Sequence, residues 1–343
     1  MLSPGRRRGS RRLRLLVLLL IVAGGAAAGV LLSRSDGDAS ADDRPAVKAA
    51  TEVSVTIPSR FVERQTGNLQ SPVQDAAVAS LSRNRAMLLG GLTAADTSRT
   101  DIRIVTRSGD RAAGALPTGL HDTAAVRIGS AVYVFGGGTS ANTQSDAILR
   151  VPTSGGNGTL VGHLPAPSSD QSAAAIGSTA YIVGGYTGTR WLDTIVAWRP
   201  GSQAHVVARL PATLRYAAVT IAGGHLVIAG GSLENGTASS AVLEFTPGQP
   251  RVRRIGRLPA PTTHAASAAI GSVVYVIGGR GATLGSATAR IVAIDVRTGS
   301  VRAAGALASP RSDLAAVATG NTILLAGGRG AAGTSAHLSE KDG

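Results

Sequence analysis

A short aliphatic run ending in Gly-Gly occurs six times in this 343-residue chain. The pairs are Gly90-Gly91, Gly136-Gly137, Gly184-Gly185, Gly230-Gly231, Gly278-Gly279 and Gly327-Gly328, with first glycines 46, 48, 46, 48 and 49 residues apart. A second marker keeps phase. Leu116, Leu164, Leu210, Leu258 and Leu307 each stand 20 residues before their Gly-Gly, and Leu69 stands 21 before. Four of these leucines are followed at once by Pro117, Pro165, Pro211 and Pro259. Two markers locked to one period define a repeat architecture, in which each unit buries its apolar surface against its neighbours.

Each unit reads as four short strands, with Gly, Asn, Ser and Pro between them. In the second unit the spacing predicts strands over Thr123–Ile128, Ala131–Gly136, Ala147–Pro152 and Thr159–Leu164. One such sheet cannot cover both of its faces, whereas sheets stacked radially cover each other. Small side chains suit sheets that converge on an axis. The chain is 43% hydrophobic but only 3% aromatic, with 45 Gly. Gly-Gly closes each second strand where the chain turns sharply and a Cβ would obstruct it.

The Tyr275-Val-Ile-Gly-Gly279 type of core, with the preceding Leu-Pro-x-Pro, resembles the kelch repeat over essentially residues 52–343. The resemblance implies an all-β fold, a six-bladed β-propeller. There are departures from the family pattern. Of the Arg and His that kelch units often carry near the first strand, only Arg311 stands in the usual Arg place. The usual His place holds Ala76, Thr123, Gln171, Ala217, Ala265 and Leu314. Trp198 is the nearest match to the family's later Trp.

Closure can be argued from the leftover ends. Only 15 residues come after the sixth Gly-Gly. Val53, Val55 and Ile57 alternate as in a strand, and Phe61–Leu69 precedes the first Leu marker as an outer strand does elsewhere. Residues 52–69 are therefore expected to supply the outer two strands of the last blade, and residues 312–328 the inner two. The rival is a third strand from Ala336-His337-Leu338 itself.

The net charge of +14 is uneven, since residues 1–14 carry six Arg and no acid. They precede an uncharged run, Leu15 to Leu32, that reaches the lower limit for a membrane-spanning helix. Basic residues ahead of such a run keep the N-terminus cytoplasmic, so the chain beyond Leu32 is expected outside. The expected order is a basic leader over 1–14, a transmembrane anchor or signal sequence over 15–32, a flexible stalk over 33–51 and the propeller over 52–343. A cleaved leader, cut near Ala26-Ala27-Ala28, would instead give a secreted protein. The remaining positive charge is dispersed and reads as surface charge, so no nucleic-acid partner is expected. The basic run Arg251-Val-Arg253-Arg254 falls in an outer strand, where charge guards an edge.

Six residues after each Leu marker stand Asp75, Asp122, Asp170, Tyr216, His264 and Asp313. In a propeller these equivalent positions ring the axial opening. Four carboxylates, an imidazole and a phenol there suit a hard cation or a polyhydroxylated or cationic ligand. Turn chemistry alone also selects Asp at strand starts. The loops after Gly-Gly share that face, and Tyr186, Arg190, Trp191, Arg280 and Arg329 lie on them. Trp191 and Tyr186 can stack on a sugar or peptide, or Trp191 can pack between blades.

Enzyme motifs are few. The chain has no Cys, which removes the copper-radical oxidase site that some kelch propellers carry. Sialidase boxes are absent, and no nucleophile–base spacing or phosphate loop is visible. A bacterial sialic-acid mutarotase is also a kelch propeller, so the resemblance leaves room for an isomerase working at the axial ring and His264. The expected function is a monomeric, extracytoplasmic binding or scaffold module, anchored through residues 15–32, taking a protein or carbohydrate on its loop face. No cofactor or bound metal is expected.

Overall fold

In each unit the second strand is apolar at successive positions, as a strand buried on both faces must be. Ala131–Phe135 and Val273–Ile277 are buried at every residue. The computed structural model describes residues 61–342. The leader, the apolar run 15–32, the stalk and the alternating segment 52–60 lie outside the described residues. Among the described residues no helix is long and apolar enough to cross a membrane.

The strands form a β-propeller. Four sheets have four antiparallel strands each, in chain order. The first is Ala77–Ser82, Arg85–Leu89, Arg99–Thr106 and Gly109–Leu120. The second is Ala124–Ile128, Ala131–Phe135, Ala147–Pro152 and Thr159–His163, within one residue of the expectation at each end. The third runs from Ser172–Ile176 to His205–Arg209 and the fourth from Ala218–Ala222 to Arg253–Arg257. The basic run is therefore placed in or beside an outermost strand. The fifth sheet has eight strands. It consists of two four-stranded halves, joined by a parallel pairing of Phe61 with Gly305 and Val62 with Ala306.

The last half corrects the expected closure. Its third strand is His337–Asp342, paired to Thr322–Ala326. The N-terminal strand Phe61–Asn68 lies outside it as the fourth strand alone. Fifteen residues suffice because a tight hairpin, in which Arg329 pairs with Thr334, reverses the chain at once. The rival reading, a strand from Ala336-His337-Leu338, is the one observed, apart from Ala336.

The core lies between sheets. Six apolar clusters are each shared by two neighbouring units, in cyclic order. Alternate residues of one strand serve opposite neighbours: Tyr181 and Val183 pack with the fourth unit, Ala180 and Ile182 with the second. Trp198 edges onto Tyr133 and Phe135, with ring centroids 4.9 and 5.6 Å away. The last cluster joins Leu88 and Val105 of the first unit to Leu324 and Leu338.

Gly-Gly serves these contacts. A Cβ on Gly136 would stand 2.4 Å from the Ser168 carbonyl oxygen of the next unit. The N–H of Gly137 donates to that same oxygen at 2.8 Å. The arrangement recurs in every unit: in the first the partner is Leu120, the last residue of that unit's own fourth strand, and in the last it is Val73 of the first. The obstruction expected from the turn is thus the backbone of the connection that leads into the neighbouring unit.

Candidate functional site

The six counted positions come together. Asp75, Asp122, Asp170, Tyr216, His264 and Asp313 all hold left-handed backbones, with φ between 49° and 61°. Asp tolerates this region better than most side chains, whereas Tyr and His do so at a cost of about 1–2 kcal/mol. The compensation is local. Each residue's N–H donates to the carbonyl of the preceding ring residue, and Asp75 donates to Asp313 at 3.0 Å. Six backbone hydrogen bonds, 2.9–3.3 Å long, therefore close on themselves around the axis. The residue before each ring member pairs with the residue after a Gly-Gly, as Ser169 does with Tyr186 and Thr263 with Arg280. This pairing puts the ring and the post-Gly-Gly loops on one face.

The ring side chains line an axial cavity of about 120 Å³. A larger channel of about 450 Å³, walled by the innermost strands, is lined mainly by small residues such as Ala77, Ala125 and Ala174. Burial raises all four carboxyls. Asp75 is pushed well above the carboxylate range by burial, then by the charges of Asp122 and Asp313. Burial also raises Asp122 well above its ordinary value, and Asp170 and Asp313 add to it. For Asp170, burial outweighs the opposing Arg215; for Asp313, it outweighs hydrogen bonds from Ser312 and Asp75. Like charges that cannot all ionise together share protons. The mouth therefore presents hydrogen-bond donors as well as acceptors.

His264 is neutral. Burial first, then Arg280 and Arg215, lower it to about 2. Arg280 Nη2 donates to Nε2 at 3.0 Å, so Nδ1 carries the proton and donates to Thr263 Oγ1, also at 3.0 Å. The Tyr216 ring stacks on the imidazole at 3.7 Å. The Tyr216 hydroxyl donates to Asp122 at 3.4 Å.

Arg215 was not among the sequence candidates. It pairs with the buried Asp170. Its guanidinium also lies 4.3 Å from the Tyr186 ring centroid, 4.7 Å from Trp191 and 5.1 Å from Tyr216. One side chain thus ties the aromatic loop to the ring. Trp191 does pack between units, through this cation, which covers part of its ring. Only its adjacency to Tyr216 in sequence pointed to Arg215.

The remaining candidates separate. Arg280 joins the ring through His264. Arg190 is exposed and lines a different cavity of about 270 Å³, with Trp191, Leu164 and Pro165. Arg329 is exposed, 3.8 Å from Asp96, and does not line the axial cavity. Among the described residues no group of three or more His, Cys, Asp or Glu is arranged to hold a metal ion.

No protein-family model and no curated protein sequence matches the chain. The fold is similar to the solved structure of YjhT, with a TM-score of 0.68 over 79% of this chain and 95% of that one, at 17% identity. At that identity the likeness speaks for the propeller fold alone. The site is accordingly read from its own geometry.

Proposed function

We propose that this chain is a kelch-like propeller of six blades, the eight-stranded sheet counting as two, that binds a glycan or protein end-group at its axial mouth. The observation that carries this is the closed ring of six left-handed residues. It sets four carboxyls, a phenol and an imidazole around one small cavity. At about 120 Å³, that cavity is smaller than the roughly 300–1,000 Å³ typical of small-molecule sites. It suits the tip of a larger ligand, with the Tyr186–Trp191 loop as its rim. Mixed donors and acceptors suit hydroxyl groups, whereas a cation would first have to expel the shared protons.

The full-length chain in detergent, applied to a glycan array and to an envelope-protein pull-down, tests the proposal. Binding should fall at least tenfold in Arg215→Ala and in Trp191→Ala. Unchanged binding in folded variants would sink it. A second reading, an isomerase, rests on the four carboxyls that line one cavity, where acids and bases can stand side by side. It requires that Asp122→Asn abolish the exchange of sugar anomers seen by NMR. The propeller is proposed to lie outside the cytoplasm, with residues 15–32 as anchor, because six Arg precede that uncharged run. A phosphatase reporter fused after Gly343, active only outside the cytoplasm, should be active.

A further inference from the structure

The loop face carries a second group of polar side chains, distinct from the axial cavity, between the first and second units. Ser98 Oγ lies 2.9 Å from Nδ1 of His121. Ser140 Oγ accepts the Ser98 N–H at 2.8 Å and donates to Ser98 Oγ at 3.0 Å. The directions are consistent: Ser140 donates to Ser98, and Ser98 donates to His121 Nδ1, which leaves the ring proton on Nε2, 3.8 Å from Asp122 Oδ2 and beyond hydrogen-bond reach. Burial lowers His121, so it is neutral and able to take a proton.

Two glycines make room for this pair. A Cβ on Gly138 would stand 2.7 Å from His121 Nε2, and one on Gly119 would stand 2.6 Å from the Ser98 carbonyl and 3.2 Å from its Cβ. The positions equivalent to Gly138 hold Leu92, Tyr186, Ser232, Arg280 and Arg329. Those equivalent to Gly119 hold Pro72, Pro167, Thr213, Pro261 and Pro310. Side chains are thus absent at both positions that flank the contact of this imidazole with Ser98.

We infer that Ser98 and His121 form a nucleophile–base pair for hydrolysis of short-chain carboxylic esters presented at the loop face. A serine within hydrogen-bond reach of a neutral imidazole is the core of the arrangement that activates such a nucleophile. Ser98 Oγ attacks the ester carbonyl carbon and its proton passes to His121 Nδ1. The carbon–alkoxide bond breaks, and the leaving alcohol takes that proton. Water then attacks the acyl-serine, giving one proton to Nδ1, which returns it to Ser98 Oγ as the carboxylic acid leaves. Ser98 is half-buried beside the exposed residues 94–97. Ser98 lines neither the axial cavities nor the cavity beside Arg190, so the ester is met at the open loop face and its acyl group is short.

The test is a fluorophosphonate applied to the full-length protein, with the adduct located by peptide mass mapping. The expected result is one adduct, on Ser98, formed at least tenfold more slowly in His121→Gln. p-Nitrophenyl acetate should give an acetyl adduct on the same serine, lost in Ser98→Ala. Gly138→Ala, which crowds the imidazole but leaves both groups in place, should also slow labelling. No adduct, an adduct elsewhere, or a rate indifferent to His121 would overturn the inference. Labelling of the unaltered protein decides this even if a variant fails to fold.

Discussion

At the scale of single residues, the axial ring carries two opposed pH dependences. His264 has a folded value of about 2 against an ordinary 6.5. A depressed value contributes stability above 6.5 that is lost as pH falls from there toward 2. The carboxyls of Asp75, Asp122, Asp170 and Asp313 are raised above 3.8. Their contribution is complete below that ordinary value and is lost as pH rises through the raised ones. Asp75→Asn, which keeps a side chain tolerant of left-handed backbone, should therefore raise Tm at pH 8 and change it little at pH 4. His264→Gln should reduce the loss of Tm between pH 6.5 and 4. Thermal melts across that range check both, and a D75N variant destabilised equally at both pH values would refute the first. The ring was legible in the sequence because one count from a buried Leu finds all six members. The left-handed backbone at Tyr216 and His264 was not, since neither residue favours it. Arg215 escaped because its partner Asp170 is 45 residues away. Only the packing of neighbouring units brings them together.

At the scale of strands and turns, the repeat made most elements legible. A strand buried on both faces has to be apolar throughout, and an inter-unit contact that recurs must leave the same residues at the same spacing. The second unit shows this, with its strands at their expected places. What the spacing did not show was why two glycines end each second strand. The structure supplies a sharper test than turn geometry. Gly129 has φ 60° and nothing within 4 Å of an added Cβ, whereas Gly136 has φ 57° and the Ser168 oxygen at 2.4 Å. Gly129→Ala should cost only the left-handed penalty, about 1–2 kcal/mol. Gly136→Ala adds a backbone clash across a unit boundary, so about 3–5 kcal/mol is expected. Urea titration of both variants separates the two terms, and equal costs would show that the boundary yields easily. The closing half-sheet was the least legible element, because the length of the Arg329–Thr334 hairpin decided which terminus supplies the third strand.

For the whole molecule, the question is what keeps a ring of sheets from opening. Its seam is closed by the N-terminal strand, whose Glu63 accepts from Arg311 in an ion pair with side chains only 5% and 4% exposed. Ser339 also donates to Glu63, at 2.6 Å, so strands from both ends of the chain meet on one carboxylate. Arg311 thus acts in closure here. Breaking a buried pair by removing one partner costs about 3–5 kcal/mol, because the other charge stays buried, whereas replacing both with apolar side chains is often neutral. Glu63→Ala should therefore lower stability by about that amount. Glu63→Leu with Arg311→Met should recover most of it. The seam predicts more than a lower Tm. Hydrogen exchange in Glu63→Ala should accelerate first in Phe61–Asn68 and His337–Asp342, ahead of the second and third units. Uniform acceleration around the ring would mean that the units melt together and that Glu63 is one contact among many. Selective opening, restored in the double variant, would establish the seam as the point where this propeller comes apart.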